Sequence, residues 1–532
     1  MSRAAGEAIA APVADSGLDR AKARRLPLAL WCCAIVLLTG VFGRIMVTPL
    51  GHDEQIHIAA ARLIFREPLY GALGYNHLPG LPLLLGGLYA ATGAEHLLLT
   101  GRLLIFLCWI AAVSVMWLIA TQASGGRRTI GAAFVLILMA GTLLGPAGTL
   151  VTNNFLPIPF ALLGVHLFVV ALDRRPIRSW TLFGAGFAIG FAVILKISYV
   201  FLVPPVAVAA LLVPRGMAAA ERFRRTVLPL VAGGILGALP GLVPLIGGPQ
   251  TLYAHTVSYF TGGHLAYWQH STAPKAMSAA AKMLVADGVW FAGSGLLAGV
   301  LAGTFALTVA QSGWRRLASW PILLVAGITI LAAILSFAPT PAFPQYYEPP
   351  VPFLLVLALL CYRQLGEPAQ RRMQPLIAMA GAIALAIILP RVLPAIPAAA
   401  KPDRWTGNVV HAQGAQIRAV LERAGVQGRV ATLAPIMALE GQLPIYREFA
   451  AGPFVYRVAD YLPPAQRRHF VTTSIRGLSP FLDANPPAAI VTGQEAELDG
   501  AFIDYARSRH YLAVDIGPQA QLFMRAAKPA AR

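Results

Sequence analysis

The sequence predicts an α-helical polytopic membrane protein that ends in a small soluble α/β domain. Of the 532 residues, 57% are hydrophobic and only 12% are charged, and the mean hydropathy is +0.65. A soluble domain has about 25% charged residues. Apolar stretches of bilayer length recur between residues 27 and 396, whereas residues 397–532 are richer in charge. These observations indicate many membrane-spanning helices followed by a soluble region.

The net charge of +19 is not gathered on one element. Lys and Arg occur in short clusters between apolar runs, which is typical of charges that orient helices in a bilayer and not of a nucleic-acid-binding surface. The four cysteines all lie in apolar runs, and they are Cys32, Cys33, Cys108 and Cys361. The sequence therefore supports neither a disulfide framework nor a cysteine metal site.

Residues 1–26 are interpreted as a cytoplasmic tail. Basic residues such as Arg20 and Arg25 precede the apolar run 27–47, as in a signal peptide. The run is long for a signal peptide and lacks a convincing cleavage site of small residues. We expect it to be retained as the first transmembrane helix.

The transmembrane part, residues 27–396, is predicted to have eleven spans of about 20 residues each. They lie near 27–47, 97–120, 129–147, 154–172, 180–196, 198–214, 227–247, 286–310, 320–338, 349–364 and 375–396. With the N-terminus inside, the basic loops around Arg127, Arg174, Arg215, Arg315 and Arg371 all fall on the cytoplasmic side. This parity requires that the short, proline-broken segment 78–91 be interfacial or re-entrant.

The opposite, periplasmic face then receives two long loops, 48–96 and 248–285, and the C-terminal domain 397–532. In that domain, helical patterns at 412–424 and 497–509 alternate with short β-branched runs. This alternation predicts an α/β fold. Chemistry is expected on this face.

Few acidic residues reach the predicted outer face, and they are Asp53, Glu54, Glu67, Glu95, Asp287 and Glu348. Asp53 and Glu54 directly follow the first helix, so their carboxylates lie at the membrane boundary. A carboxylate there can take a proton from an incoming hydroxyl. The alternative is that Asp53-Glu54 only caps the helix that begins near Gln55.

A metal site and a phosphate site are further hypotheses for this region. His57 lies three residues after Glu54, on the same helical face, so the two could share a divalent metal. The segment is not an HExxH motif, because Asp53 separates His52 from Glu54. Arg102, near a bilayer boundary, needs an anion, either a substrate phosphate or a carboxylate such as Glu54.

Several short motifs occur in the order and on the predicted side found in a known family. They are Asp53-Glu54 after the first helix, Tyr75 to Pro79, Gly101-Arg102 in the second helix, Lys196-Ile197-Ser198 at the outer end of the fifth, and Gln345 to Pro352 entering a late helix. In these motifs residues 27–396 resemble the GT-C glycosyltransferases. The pattern is most similar to that of the protein O-mannosyltransferase and aminoarabinose transferase group.

The resemblance implies a GT-C fold and an enzyme that moves a sugar from a polyprenyl-phosphate donor to an acceptor hydroxyl. Asp53 matches the family's catalytic carboxylate and Glu54 its neighbour, while His77 is near a position where relatives have Lys or His. Where relatives often have a second acid, this chain has Asn153-Asn154. An amide cannot act as a base, so Glu348 becomes the candidate second carboxylate.

The remaining candidates are substrate-binding residues. Arg102, Lys196 and Lys275 are expected to bind phosphate. The second long loop carries aromatic residues and His264, and a late helix begins after Tyr346. These aromatic rings suit the C–H faces of sugars, or they form an interfacial belt that anchors the helices.

The predicted reaction is one in-line displacement that inverts the anomeric carbon, with Asp53 as the base. No cofactor is certain, and a divalent metal is an open alternative. The partners are the membrane, the lipid-linked donor and a lipid, glycan or protein acceptor, in a bacterial cytoplasmic membrane with the site facing the periplasm. The rival functions are a flippase for lipid-linked sugars and a surface-polysaccharide polymerase or ligase.

Overall fold

Helices make up most of the chain from residue 17 to residue 423. The computed structural model describes residues 17–93, 95–173, 176–213, 216–273, 275–517 and 520–526, with side chains from residue 28 onward. The longer helices are Gly17–Val47, His52–Leu63, Gly80–Thr92, Leu97–Ala123, Arg128–Met139, Pro157–Asp173, Ser179–Leu195, Val203–Leu212, Leu228–Gly247, Gly263–His270, Ala279–Trp290, Gly293–Gly313, Trp320–Ser336, Pro350–Arg363, Glu367–Val392 and Thr406–Arg423. The predicted tail residues 1–16 and the predicted loop residues Arg174, Arg175 and Arg215 lie outside the described residues.

Each of the eleven predicted spans contains a helix. Five helical stretches are long and apolar enough to cross a membrane, and they are Leu28–Val47, Leu97–Ala123, Ala219–Gly247, Gly293–Ala318 and Glu367–Ala399. Further apolar helices have 10–17 residues. The chain is therefore a polytopic membrane protein, and the number of eleven crossings stays a prediction.

The helix Gly80–Thr92 has 13 residues, which rise about 20 Å and fall short of a hydrocarbon core of about 30 Å. It begins after Pro79 and ends at Gly93, whose φ of +59° is the left-handed conformation that glycine adopts without strain. A helix of this length is compatible with a segment that enters and leaves the membrane on one side, as the predicted topology requires.

Predicted cytoplasmic loops meet at one end of the helix bundle. Arg127 donates to the Tyr362 hydroxyl at 2.5 Å, and Arg363 pairs with Asp173 at 3.2 Å. Helix Leu97–Ala123, about 40 Å long, leads from Arg102 at its start to this end. The loops with basic residues are thus remote from Arg102 and its neighbours, while the membrane side that they face stays a prediction.

Glycines bring two helices into contact directly below the site. On Ser179–Leu195 and Leu228–Gly247, a Cβ at Gly186, Gly190, Gly233 or Gly237 would collide with a main-chain carbonyl of the other helix. Small residues at such spacing let helix backbones pack closely in a membrane. The packing fixes the helix whose C-terminal cap is Lys196.

The C-terminal part contains a four-stranded mixed sheet. Its strands are β1 (Val430–Thr432), β2 (Ala489–Thr492), β3 (Leu512–Asp515) and β4 (Gln521–Met524), in the order β1-β2-β4-β3. β1 and β2 are parallel, and β4 is antiparallel to both β2 and β3. The shorter helices are Pro435–Glu440, Pro453–Val458, Leu478–Ala484 and Gly500–Ser508.

The C-terminal part packs directly on the helical part. One buried cluster combines Ile56 and Tyr75 of the first loop with Tyr259 of the second loop and with Phe454 and Val458 of the C-terminal part. This packing forms the walls of the candidate site. That residues 397–532 fold as a separate domain in the periplasm stays a prediction.

Candidate active site

A cavity of about 510 Å³ lies where the first loop, the second loop and the C-terminal part meet. Seven of the residues that the sequence singles out line it, and they are Asp53, His57, His77, Lys196, His264, Lys275 and Tyr346. Glu54, Arg102 and Glu348 do not line it. The fold therefore gathers most of the candidates from segments far apart in the chain.

Asp53 lies in the first turn of the helix His52–Leu63 and is partly exposed to the cavity. The N-cap of that helix is Gly51, not Asp53, so capping is not the role of this carboxylate. Among the described residues, none donates a hydrogen bond to it, and its charge acts on Lys196. Asp53 is thus an ionisable group free to accept a proton from a bound hydroxyl.

Glu54 is fully buried and saturated with hydrogen bonds. Arg102 binds it in bidentate fashion, with Nε–Oε1 and Nη2–Oε2 distances of 2.7 Å. The backbone amides of Gly51 and Val151 each donate to it at 2.8 Å. Glu54 therefore has no free acceptor for a substrate or a metal, which removes it as the predicted catalytic neighbour and as a partner of His57 in a metal site.

Arg102 is the other half of this buried pair, as the alternative interpretation of the sequence expects. Besides Glu54, its guanidinium donates to the carbonyl oxygens of Ile45 at 2.6 Å and Thr48 at 3.2 Å. It is fully buried and has no face on the cavity. Arg102 therefore holds the end of the first helix against the loop, and its guanidinium is not in place for the predicted contact with a phosphate.

Lys196 is placed on the cavity wall by the end of its helix. Its Nζ donates to Asn154 Oδ1 at 2.8 Å and lies 5.2 Å from the centre of the Tyr346 ring. Burial lowers the pKa of Lys196 to about 8, against the opposing effect of the Asp53 charge. Asn154 thus orients a cation, and its amide cannot remove a proton.

His57 and His77 form a neutral group beside Lys196. His57 Nδ1 is 3.0 Å from the Tyr75 hydroxyl, and the two imidazole rings are 5.2 Å apart. Burial lowers the pKa of both, that of His77 to about 3, with a further contribution from Lys196. Nδ1 of His77 is buried and has no hydrogen-bond partner in the described ranges, while the residue itself lines the cavity.

No metal centre is evident in the part of the chain that the structure describes. Within it, no three His, Cys, Asp or Glu side chains are grouped closely enough to hold an ion. Of the two residues predicted to share a metal, His57 lines the cavity, whereas the carboxylate of Glu54 is paired with Arg102.

The second loop supplies an aromatic wall. His264 accepts a hydrogen bond from Trp268 Nε1 at 3.2 Å, and burial lowers its pKa to about 3. Lys275 lies 4.8 Å from the centre of the Trp268 ring. Tyr267 and Trp268 face the cavity, whereas Tyr253 is 59% exposed on the outside. The loop thus forms one wall of the cavity and also an outer aromatic surface.

Glu348 does not share the cavity with Asp53, which corrects the prediction for this residue. It is only 3% exposed, accepts a hydrogen bond from the Thr142 amide and lies in the field of Arg391. Burial raises its pKa to about 8. The 3₁₀ turn Pro344–Tyr346 sends Tyr346 into the cavity, but Glu348 follows the turn and points to a different side.

The C-terminal part contributes residues that sequence reasoning missed. Arg457 and Glu495 line the cavity, and both contact His52. His52 Nδ1 is 2.8 Å from Glu495, and Arg457 Nη1 is 3.2 Å from His52 Nε2. Both residues are about 400 positions away from His52 in the chain, so the three form no local motif. The only sequence signal is the charge of Arg457 in the otherwise apolar segment Pro453–Val458.

A second, mostly apolar cavity of about 400 Å³ continues from the first. The two share Asn76, His77, Lys196 and Tyr346, and the second extends between apolar side chains such as Phe201. Lys196 lies at their junction, so a charged head group and an attached apolar chain can be bound side by side.

The family model described as dolichyl-phosphate-mannose-protein mannosyltransferase matches residues 77–245. No curated protein matches the chain. Among solved structures, ArnT from Cupriavidus metallidurans bound to undecaprenyl phosphate has a TM-score of 0.58 at 14% identity, covering 93% of this chain and 98% of that one.

The apo form of the same ArnT gives a TM-score of 0.57 at 14% identity, over 94% of this chain and 98% of that one. At this identity, the likeness shows the fold. The fold, the family-model match over residues 77–245 and the motifs are similar to those of the GT-C superfamily of integral membrane glycosyltransferases.

Proposed function

We propose that the chain transfers a sugar from a polyprenyl-phosphate donor to an acceptor hydroxyl on the periplasmic face. The observation that carries the proposal is the placement of Asp53 and Lys196 in one cavity, with an apolar groove leading away from Lys196. A lipid-linked phosphate fits this arrangement, because its charge meets the lysine and its chain enters the groove. The similar fold of ArnT, which was solved bound to undecaprenyl phosphate, supports this class of donor.

The residues divide the work of one displacement. Lys196, held by Asn154, binds the phosphate oxygen and stabilises the charge that develops on it. Asp53 removes the proton of the acceptor hydroxyl as its oxygen attacks the anomeric carbon. The anomeric C–O bond to phosphate breaks, the electron pair leaves with the polyprenyl phosphate, and the configuration inverts. Tyr346 and the neutral His77 complete the wall around the sugar.

The test is transfer by the purified full chain from a radiolabelled polyprenyl-phosphate sugar. Acceptors would come from envelope lipids, glycans and proteins, compared by mass spectrometry in cells with and without the protein. We expect label to move to one acceptor class in the wild type and not in Asp53→Asn. Movement of intact labelled lipid across vesicles without transfer would instead support a flippase. Parallel assays with EDTA and with added Mg²⁺ test metal dependence.

A further inference from the structure

Arg457 is a buried cation on the cavity wall. It lies in the short helix Pro453–Val458 and is only 7% exposed. Its guanidinium carbon is 5.0 Å from the centre of the Phe454 ring, 5.1 Å from that of Trp268 and 5.2 Å from that of Tyr267. The aromatic rings keep the guanidinium in a fixed place and stabilise its charge in part.

No carboxylate pairs with Arg457 within the ranges that the structure describes. Its Nη1 donates to His52 Nε2 at 3.2 Å, and it forms a further hydrogen bond with the Tyr259 side chain. Its Nε is buried and has no hydrogen-bond partner among the described residues. Glu495 is bound to His52 instead, and Glu497, on the same wall, is exposed. A buried arginine that lacks a counter-ion is costly unless a ligand supplies one.

This cation is separate from the phosphate-binding lysine of the proposed function. Lys196 lines both the first cavity and the second, mostly apolar cavity, whereas Arg457 lines only the first. Lys275 adds positive charge there, because its Nζ is 4.8 Å from the centre of the same Trp268 ring that Arg457 contacts. The cavity thus has a second positive region, next to the aromatic wall expected to contact sugar.

We propose that Arg457 binds a carboxylate or phosphate oxygen at the end of the substrate remote from the lipid. An anion there fits the planar fork of the guanidinium. The transferred sugar, or the acceptor that attacks it, is therefore acidic. This inference rests on the proposed function, since it names the substrate class of the same cavity.

The experiment compares three probes that differ only at carbon 6, namely D-glucose, D-glucuronate and glucose 6-phosphate. Binding to the full chain in nanodiscs is followed by thermal stabilisation. We expect at least one of the two anions, and not glucose, to stabilise the wild type. Arg457→Gln should weaken the binding of that anion by about 10- to 100-fold, as expected for loss of a charge-assisted hydrogen bond.

The matched control is Arg423→Gln, which removes the same charge from an exposed position of the helix Thr406–Arg423. It should leave anion binding unchanged. If Arg457→Gln does not fold, Arg457→Lys provides the readout, because it keeps the charge but loses the fork. The inference is overturned if neither anion binds better than glucose, or if anion binding is unchanged in the folded Arg457 variant.

A second arm identifies the source of the anion by comparing polyprenyl-phosphate glucose with polyprenyl-phosphate glucuronate. If the donor sugar carries the anion, Arg457→Gln weakens only the binding of the glucuronate donor, and that donor competes with free glucuronate for binding to the wild type. If the acceptor carries it, both donors bind the variant equally and the free anion still binds the loaded protein. Transfer by the wild type tests the proposed function independently of these binding results.

Discussion

His52 in the first loop and Glu495 in the C-terminal part are joined by a hydrogen bond of 2.8 Å across 443 positions of chain. Arg457 can only donate, so the 3.2 Å contact with His52 makes Nε2 of the imidazole the acceptor. Nδ1 of His52 then carries the proton and donates a hydrogen bond to the carboxylate of Glu495. The C-terminal part thus holds the residue that directly precedes the proposed base, Asp53.

Glu495→Ala is predicted to lower turnover without weakening donor binding. The substitution frees His52 and lets the first turn of the helix His52–Leu63 shift, and a displacement of about 1 Å can cost as much as 10²-fold in rate. We expect kcat to fall about tenfold or more, while KM for the donor stays near the wild-type value. Glu495→Gln should restore much of the rate, because its amide oxygen still accepts from Nδ1.

Glu497→Ala is the control for this experiment, since Glu497 is exposed on the same wall. A general loss of the domain would lower stability and donor affinity together in Glu495→Ala. That result would contradict the inference that Glu495 positions His52 and Asp53.

Asp53→Asn is predicted to lower turnover by about 10²- to 10⁴-fold, the usual contribution of general-base catalysis. Asn has the same shape but cannot take a proton. Because Gly51 is the helix cap, both Asp53→Asn and Asp53→Ala should keep nearly wild-type thermal stability. Steady-state transfer and thermal unfolding measure both properties. Wild-type turnover in Asp53→Asn would show that another group is the base.

Disruption of the Glu54–Arg102 pair is predicted to destabilise the protein. Replacing one partner, as in Glu54→Gln or Arg102→Met, leaves a buried charge alone and costs about 3–5 kcal/mol. The matched control is Glu367→Gln, since the Glu367–Arg371 pair has side chains 77% and 74% exposed. An exposed pair contributes about 0–1 kcal/mol, so this variant should unfold like the wild type. Equal stability of the Glu54 and Glu367 variants would contradict a structural role for Glu54.

The sequence predicts the helices well because apolar runs of bilayer length are a local signal, and each predicted span contains a helix. Asp53, His77 and Lys196 were also accessible, because charged or polar residues at helix ends are conspicuous in an apolar chain. The direction of a side chain is not a local property. Glu54 and Glu348 also have carboxyl side chains near the predicted boundary, yet Glu54 pairs with Arg102 and Glu348 accepts a hydrogen bond from the Thr142 amide.

The contribution of Arg457 and Glu495 depends on how the C-terminal part packs against the first loop. That packing joins segments about 400 residues apart, and no spacing in the sequence encodes it. The sequence shows that Arg457 lies in a short apolar helix. Only the folded structure shows that no carboxylate among the described residues pairs with it.

Donor binding is predicted to weaken as the pH rises through about 8. Lys196 has a pKa lowered to about 8, so its charged form predominates below that pH and is lost above it. The donor phosphate meets a cation at pH 7 and a neutral amine at pH 9. KM for the donor should therefore increase over this interval in the wild type.

Lys196→Arg provides the control, because a guanidinium stays protonated and should remove the rise in KM up to pH 9. Lys196→Gln should bind the donor weakly at every pH. A rise in KM of equal size in all three proteins would assign the titration to another group.

Glu348→Gln is predicted to keep turnover and to become more stable than the wild type as the pH rises. The pKa of Glu348 is raised from 4.5 to about 8 in the folded protein, so folding favours its protonated form. Below pH 4.5 the carboxyl is protonated in both the folded and the unfolded state, and it has no effect on stability. Between pH 4.5 and 8 the unfolded state ionises first, which lowers the stability of the wild type progressively.

Gln copies the neutral carboxyl without this proton linkage, so the difference in unfolding temperature between variant and wild type should grow from pH 5 to pH 8. Thermal unfolding across this range measures it, and turnover at pH 7 is the second readout. If Glu348 acted as the second carboxylate of the reaction, Glu348→Gln would lose turnover at every pH. The position of its side chain, outside the cavity that holds Asp53 and against the Thr142 amide, argues for the first outcome.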